Sequence, residues 1–272
     1  MTRRIFIPLL PLLSLSLLAQ EEQLPPVGYT IEGRFDAFTT DEMGNVYALQ
    51  GDELRLFDAR GRSWLRNSVK TFGRIGVIDA FYSLKPMLFA PEQGQLALLD
   101  NTLSLQGSVI NLSRQGYVQV VGACMSVQNC FWFFDQREMA LVRVDGQLNK
   151  LAHSGRLDQV LGFSVEPAGM MEYDSKLYLN DPVHGILVFD LFGTYVKTIG
   201  IKDARSIQVR GQFLYFFDAT GAHIYDMLSF AIATVDTGTS ADRIRDLRVE
   251  NGRVFLLLED RISVHRQNNV EH

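Results

Sequence analysis

The sequence predicts an all-β chain: a single six-bladed β-propeller of four-stranded blades, closed by an N-terminal strand that completes the last blade. Three observations carry this. Short apolar runs recur about every 42 residues, a spacing that marks propeller repeats. Each run is followed by a polar turn and a second apolar run, so the unit is built of short strands. After the sixth such pair no apolar strand remains to finish the final blade.

The leading runs occupy residues 46–49, 87–90, 131–134, 177–179, 213–216 and 254–257, and the second runs 54–58, 96–100, 141–145, 186–190, 222–226 and 261–265. The first five second runs end on Asp58, Asp100, Asp145, Asp190 and Asp226, a residue type whose side chain opens turns by hydrogen-bonding the following backbone. Flanking strands complete the unit, exemplified by 206–210 ahead of a leading run and 195–199 behind a second run. The leading run is apolar at nearly every position, as expected of a strand covered on both faces. The second run alternates more, and the last strand is the most polar. That gradient places the inner strands between neighbouring blades and the last strand at the rim.

The ends settle the closure. Beyond 262–265 only a polar stretch to His272 remains, so the sixth blade lacks its outer strand. Residues 28–35 are strand-like and precede the first blade, so they are expected to supply it and hide two exposed sheet edges.

Ahead of this domain, Arg3 and Arg4, an apolar run from Ile5 to Leu18, and Ala19 before a polar segment have the form of a secretory signal peptide over 1–19. The run is too short to span a bilayer of ~30 Å, and Pro8 and Pro11 interrupt it. No cysteine follows it, which disfavours a lipoprotein anchor. The expected mature chain is one domain, 20–272, in the periplasm or outside the cell, with no integral membrane segment. The full chain, with a net charge of −5, is without the basic footprint that nucleic acid requires.

Residues 177–200 resemble the NHL-type propeller repeat of the six-bladed, TolB-like group: apolar strand, Asp-containing turn, apolar strand ending in Asp190, then Gly193 and a strand ending Ile199-Gly200. Asp58 and Gly61 repeat the match in the first blade, and the other blades follow it poorly. The resemblance implies the six-bladed fold. It does not imply one activity, because such propellers serve as enzymes, receptors and scaffolds alike.

Some related six-bladed folds are metal-dependent lactonases or esterases whose axial cation takes oxygen ligands. Asp36, Asp79, Glu166 and Asp246 fall near the strand starts such a site would use. They form no recurrent set. The five histidines share no ligand spacing, and nucleophile-elbow and phosphate-loop motifs are absent. The aromatic run Phe131 to Phe134 should send alternate rings to opposite blade interfaces as packing. The reading is therefore a non-catalytic binding or scaffolding propeller with no cofactor, whose partner is another envelope protein. A metal-dependent propeller hydrolase is the alternative.

Two further expectations concern named residues. The turns between second and third strands carry Glu92, Asp135, Asp181 and Asp218 beside basic crossovers, making one face charged and mixed, and Trp64 on an outer strand is a further contact candidate. Cys124 and Cys130, the only cysteines of an exported chain, flank one hairpin and are expected to form a disulfide. Cleavage after Ala19 should give a mature protein beginning at Gln20. Intact-mass measurement on exported material checks this, and a mass retaining residues 1–19 would refute it.

Overall fold

Six antiparallel four-stranded sheets form a closed ring around a central axis. The computed structural model describes residues 28–266 apart from Val69, Thr71 and Ser83; residues 1–19, where a signal peptide is expected, and the polar tail beyond Arg266 lie outside the described residues. Strand β1 (Tyr29–Glu32) comes first. Blade 1 follows, with β2 (Ala37–Thr40), β3 (Val46–Gln50), β4 (Glu53–Phe57) and β5 (Ser63–Ser68). Blade 2 holds β6 (Val77–Asp79), β7 (Met87–Ala90), β8 (Gln95–Leu98) and a two-residue outer strand, β9 (Ile110–Asn111). Blade 3 holds β10 (Val120–Ser126), β11 (Cys130–Asp135), β12 (Ala140–Val144) and β13 (Lys150–His153). The short helix α1 (Leu157–Leu161) leads to blade 4, made of β14 (Gly169–Tyr173), β15 (Lys176–Asp181), β16 (Gly185–Asp190) and β17 (Tyr195–Ile199). Blade 5 is β18 (Ser206–Arg210), β19 (Phe213–Phe217), β20 (Ala222–Asp226) and β21 (Ile232–Thr234). Blade 6 has β22 (Asp246–Glu250), β23 (Arg253–Leu257) and β24 (Arg261–Arg266).

The predicted closure is present. β1 pairs antiparallel with β24, Tyr29 opposite Val264 and Glu32 opposite Arg261, and so supplies the fourth strand of blade 6.

The second strand of each blade explains the ring. All six residues of β11 are buried, and alternation divides them: Phe131 and Phe133 join the core shared with blade 2, whereas Trp132 and Phe134 join that shared with blade 4. β3 does the same, sending Tyr47 and Leu49 one way and Val46 and Ala48 the other. The core is therefore split into six slabs, one at each blade interface. The slab at the seam joins Ile31 of β1 to Phe35, Phe57, Phe255 and Ile262.

The Asp-terminated second runs become the turns to the outer strands. Asp58, Asp100, Asp145 and Asp190 each accept, on Oδ1, the N–H groups two and four residues ahead at 2.8–3.0 Å. The residue three ahead is left-handed in all four: Gly61, Leu103, Leu148 and Gly193. At Gly61 a Cβ would overlap the Tyr29 ring, so the seam itself demands glycine there.

One expectation is corrected. Cys124 and Cys130 are buried free thiols and are not bridged. The inner strand runs on to Ser126, so Cys130 faces Ser126 and Cys124 faces Trp132. The two cysteines are thus diagonal neighbours, a relation that spans ~7–8 Å against the ~4.4–6.8 Å between Cα atoms that a bridge needs.

Seam burial sets an expected outcome. Ile31→Ala should cost about 2–5 kcal/mol in denaturant unfolding and promote aggregation through the loosened edge. Trp64→Ala on the exposed outer strand of blade 1 should stay within about 0.5 kcal/mol of the parent. Equal effects of the two would count against a load on the seam.

Candidate functional site

The inner strands β2, β6, β10, β14, β18 and β22 surround an axial cavity of about 450 Å³. Of the four carboxylates expected there, Asp36, Asp79 and Asp246 line it. Glu166 is exposed outside it, and Glu172 of β14 lines the wall instead. Glu166 precedes β14, whereas Glu172 lies within it and turns towards blade 3.

Four of the lining carboxylates accept donors of the chain; exposed Glu42 also lines the cavity, and no donor reaches its carboxylate among the described residues. Asp79 accepts the N–H groups of Phe81 at 2.8 Å and Met125 at 2.7 Å. Burial pushes its pKa above the usual carboxylate range, against the opposing pull of those N–H groups and of Arg210 and Arg248. Glu172, 2% exposed, accepts Trp132 Nε1–H at 2.7 Å and the N–H of Val127 at 3.0 Å. Asp246 receives Arg248 at 3.0 Å, and Asp36 receives the N–H of Gly51 at 2.6 Å. Among the described residues, no three His, Cys, Asp or Glu side chains come together as a metal-binding group.

The acidic hairpin tips divide in two. Asp135 and Asp181 are buried, and their Oδ1 atoms cap their own turns, the former by accepting Arg137 and Glu138 N–H, the latter Val183 and His184 N–H. Asp181 also accepts the N–H of Glu166 at 3.0 Å on Oδ2. Burial raises its pKa, but these N–H groups and the His184 ring outweigh that and hold it below the usual value. Asp218 is half-buried, accepting Thr220 N–H at 2.7 Å and facing His223 at 3.2 Å. Glu92 is exposed and forms a loose pair with Arg74 at 3.9 Å. Trp64 is 62% exposed.

Two features were missed in the sequence. Four arginines line the same cavity: Arg205, Arg210, Arg245 and Arg248. The signal was positional: Arg205 and Arg245 immediately precede the inner strands β18 and β22, and Arg210 and Arg248 lie within them. The tips of the outer turns of blades 4 and 5 also expose Phe192, Leu228 and Phe230, each about two-thirds or more.

No protein-family model matches the chain, and no curated protein matches its sequence. Solved structures do. A streptogramin B lyase superposes with a TM-score of 0.61 at 12% identity, covering 89% of this chain and 98% of that one. A catalytically inactive virginiamycin B lyase from Staphylococcus aureus, solved with quinupristin, gives 0.59 at 12% identity, covering 85% and 80%. BBS1N in complex with ARL6DN gives 0.55 at 8% identity, covering 87% and 78%. At these identities the likeness is one of fold, that of a β-propeller.

Asp181 offers the test of the turn geometry. Asp181→Ala leaves three backbone donors without their acceptor and should cost on the order of 2–4 kcal/mol. Because the native carboxyl sits below its unfolded value of 3.8, the parent's margin over the variant is complete above that value. It is lost as pH falls through the lowered native one. Equilibrium unfolding from neutral to acid pH measures it; a margin that grows on acidification would contradict the assignment.

Proposed function

We propose that the protein is a non-catalytic binding propeller of the NHL-like, six-bladed kind, exported to the periplasm or cell envelope, where it holds another envelope protein. The observation that carries this is the state of the axial carboxylates. Asp36, Asp79, Glu172 and Asp246 are each engaged by N–H or guanidinium donors of the chain, so none is arranged to share a hard cation with its neighbours. Exposed apolar side chains point the same way. Trp64, Phe192, Leu228 and Phe230 stand out from turns and an outer strand, and aromatic side chains of this kind are enriched as anchors at protein interfaces. The BBS1 domain, solved in complex with ARL6, is a propeller with a protein partner and supports the reading by fold alone. The signal-peptide form of residues 1–19 supports the compartment.

Tagged chain cross-linked in native envelope extract should sediment as a complex larger than the 30.7 kDa chain. Trp64→Ala combined with Phe192→Ser and Phe230→Ser should dissolve that complex while the melting temperature stays near the parent's. A chain that sediments alone, and that hydrolyses lactones or esters once a divalent cation is added, would overturn the reading in favour of a hydrolase.

A further inference from the structure

We infer that the axial cavity is a binding site for a small organic monocarboxylate, gripped at its mouth by Arg205 and Arg245. This is a small-molecule site, independent of the protein partner discussed above.

The four cavity arginines are not equivalent. The two deeper ones are neutralised by the chain: Arg210 Nε meets Glu250 at 2.8 Å and Arg248 meets Asp246 at 3.0 Å. The two at the mouth have no carboxylate partner among the described residues. Arg245 donates only to the carbonyl oxygens of Phe35 at 2.7 Å and Asp36 at 3.3 Å, which keep its charge uncompensated. The Arg205 guanidinium makes no hydrogen bond or ion pair among the described residues. Its one partner is the face of the Phe217 ring, 5.5 Å from the centroid.

Their placement is matched. Each immediately precedes the first residue of an inner strand, β18 or β22. Each donates its N–H to the last residue of the adjoining second strand, Arg205 to Phe217 at 2.7 Å and Arg245 to Leu257 at 2.8 Å. Neighbouring blades thus open their inner strands with an arginine at the equivalent backbone position, and both arginines line one cavity. A guanidinium fork recognises a carboxylate by paired N–H bonds, with greater strength than a neutral contact.

A second observation lies beside Arg205. Asn180, 1% exposed, lines the cavity and donates Nδ2–H to the carbonyl of Ala204 at 2.7 Å, while its Oδ1 is a buried acceptor with no donor. Buried polar atoms are nearly always paired, so an orphan acceptor in a cavity wall marks the place of a missing donor. A ligand hydroxyl next to the carboxylate supplies one. The volume, about 450 Å³, is that of a small-molecule site. The size of the ligand's charge follows from the same wall. Asp36, Glu42, Asp79, Glu172 and Asp246 share it with the arginines, so a second negative charge would meet repulsion, and a monoanion suits the site better than a phosphate dianion.

The test uses the mature chain with lactate, gluconate and acetate as carboxylate probes, inorganic phosphate as the dianion and glucose as the uncharged control. Titration calorimetry and thermal shift should show saturable binding of the carboxylates, strongest for the hydroxylated pair, with none for glucose. Arg205→Gln removes a side chain with no structural hydrogen bond, so the unliganded melting temperature should hold. Affinity should fall by about tenfold or more, the scale of one charge-assisted pair. Arg205→Lys, which keeps the charge and loses the fork, should recover part of it. No saturable binding of any carboxylate, equal affinity in Arg205→Gln, or tighter binding of phosphate than of every carboxylate would each overturn the assignment.

Discussion

Everything in this molecule depends on the seam where the chain meets itself. A blade whose second strand is apolar on both faces cannot stand alone; each face needs a neighbour, and a row of such blades always leaves two faces over. Six blades in a ring remove the problem only if the first and last are joined. The join is made by β1 against β24 and by the slab of Ile31, Phe35, Phe57, Phe255 and Ile262. Polar bonds cross the same line: Arg245 reaches the carbonyl of Phe35, and Asn251 that of Glu42. These link residues more than 200 apart in sequence, so loop-closure entropy opposes them until the intervening blades exist. The five other interfaces are local, and the ring's cooperativity rests on the one that is not.

The fold was legible because its strongest signals were chemical and periodic at once. A residue run such as Phe131 to Phe134 can be apolar throughout only if both faces are covered, and the structure covers both. The turn repeat was less visible than it is real. Four turns share the same Asp geometry, yet only Gly61 and Gly193 announce it with glycine. At the other two the left-handed position is held by leucine. Leu103 is fully buried in the slab between blades 1 and 2, and Leu148 packs against that between blades 2 and 3. Burial there offsets a backbone strain of roughly 1–2 kcal/mol. The NHL-like pattern therefore fades in blades whose geometry keeps it, because tertiary packing substitutes for the residue that sequence patterns look for.

The candidate sites were legible in kind but not in orientation. Acidic residues do crowd the hairpin tips, but Asp135 and Asp181 turn inward to cap their own turns, a role invisible without knowing where each N–H points. The cysteine pair failed for a related reason. Two extra residues on the inner strand moved the hairpin bend beyond Cys124 and left the thiols diagonal. On the axis, the sequence drew attention to carboxylates as potential metal ligands. The structure pairs most of them with chain donors and leaves two arginines at the mouth without a carboxylate partner among the described residues, Arg205 standing against the Phe217 ring. Charge type can be counted from a sequence, but charge compensation is a property of distances.

The antiparallel register of the seam also decides how the molecule bears tension. Tyr29 lies opposite Val264 and Glu32 opposite Arg261, so chain entering β1 and chain leaving β24 emerge on the same side of the sheet. A pull applied between those two segments acts on the hydrogen bonds one rung at a time, as in opening a zipper, and not on all of them in parallel as in shear. Such a domain yields at low force when stretched end to end. The first and last described strands therefore carry a load between their outer ends on few hydrogen bonds at a time.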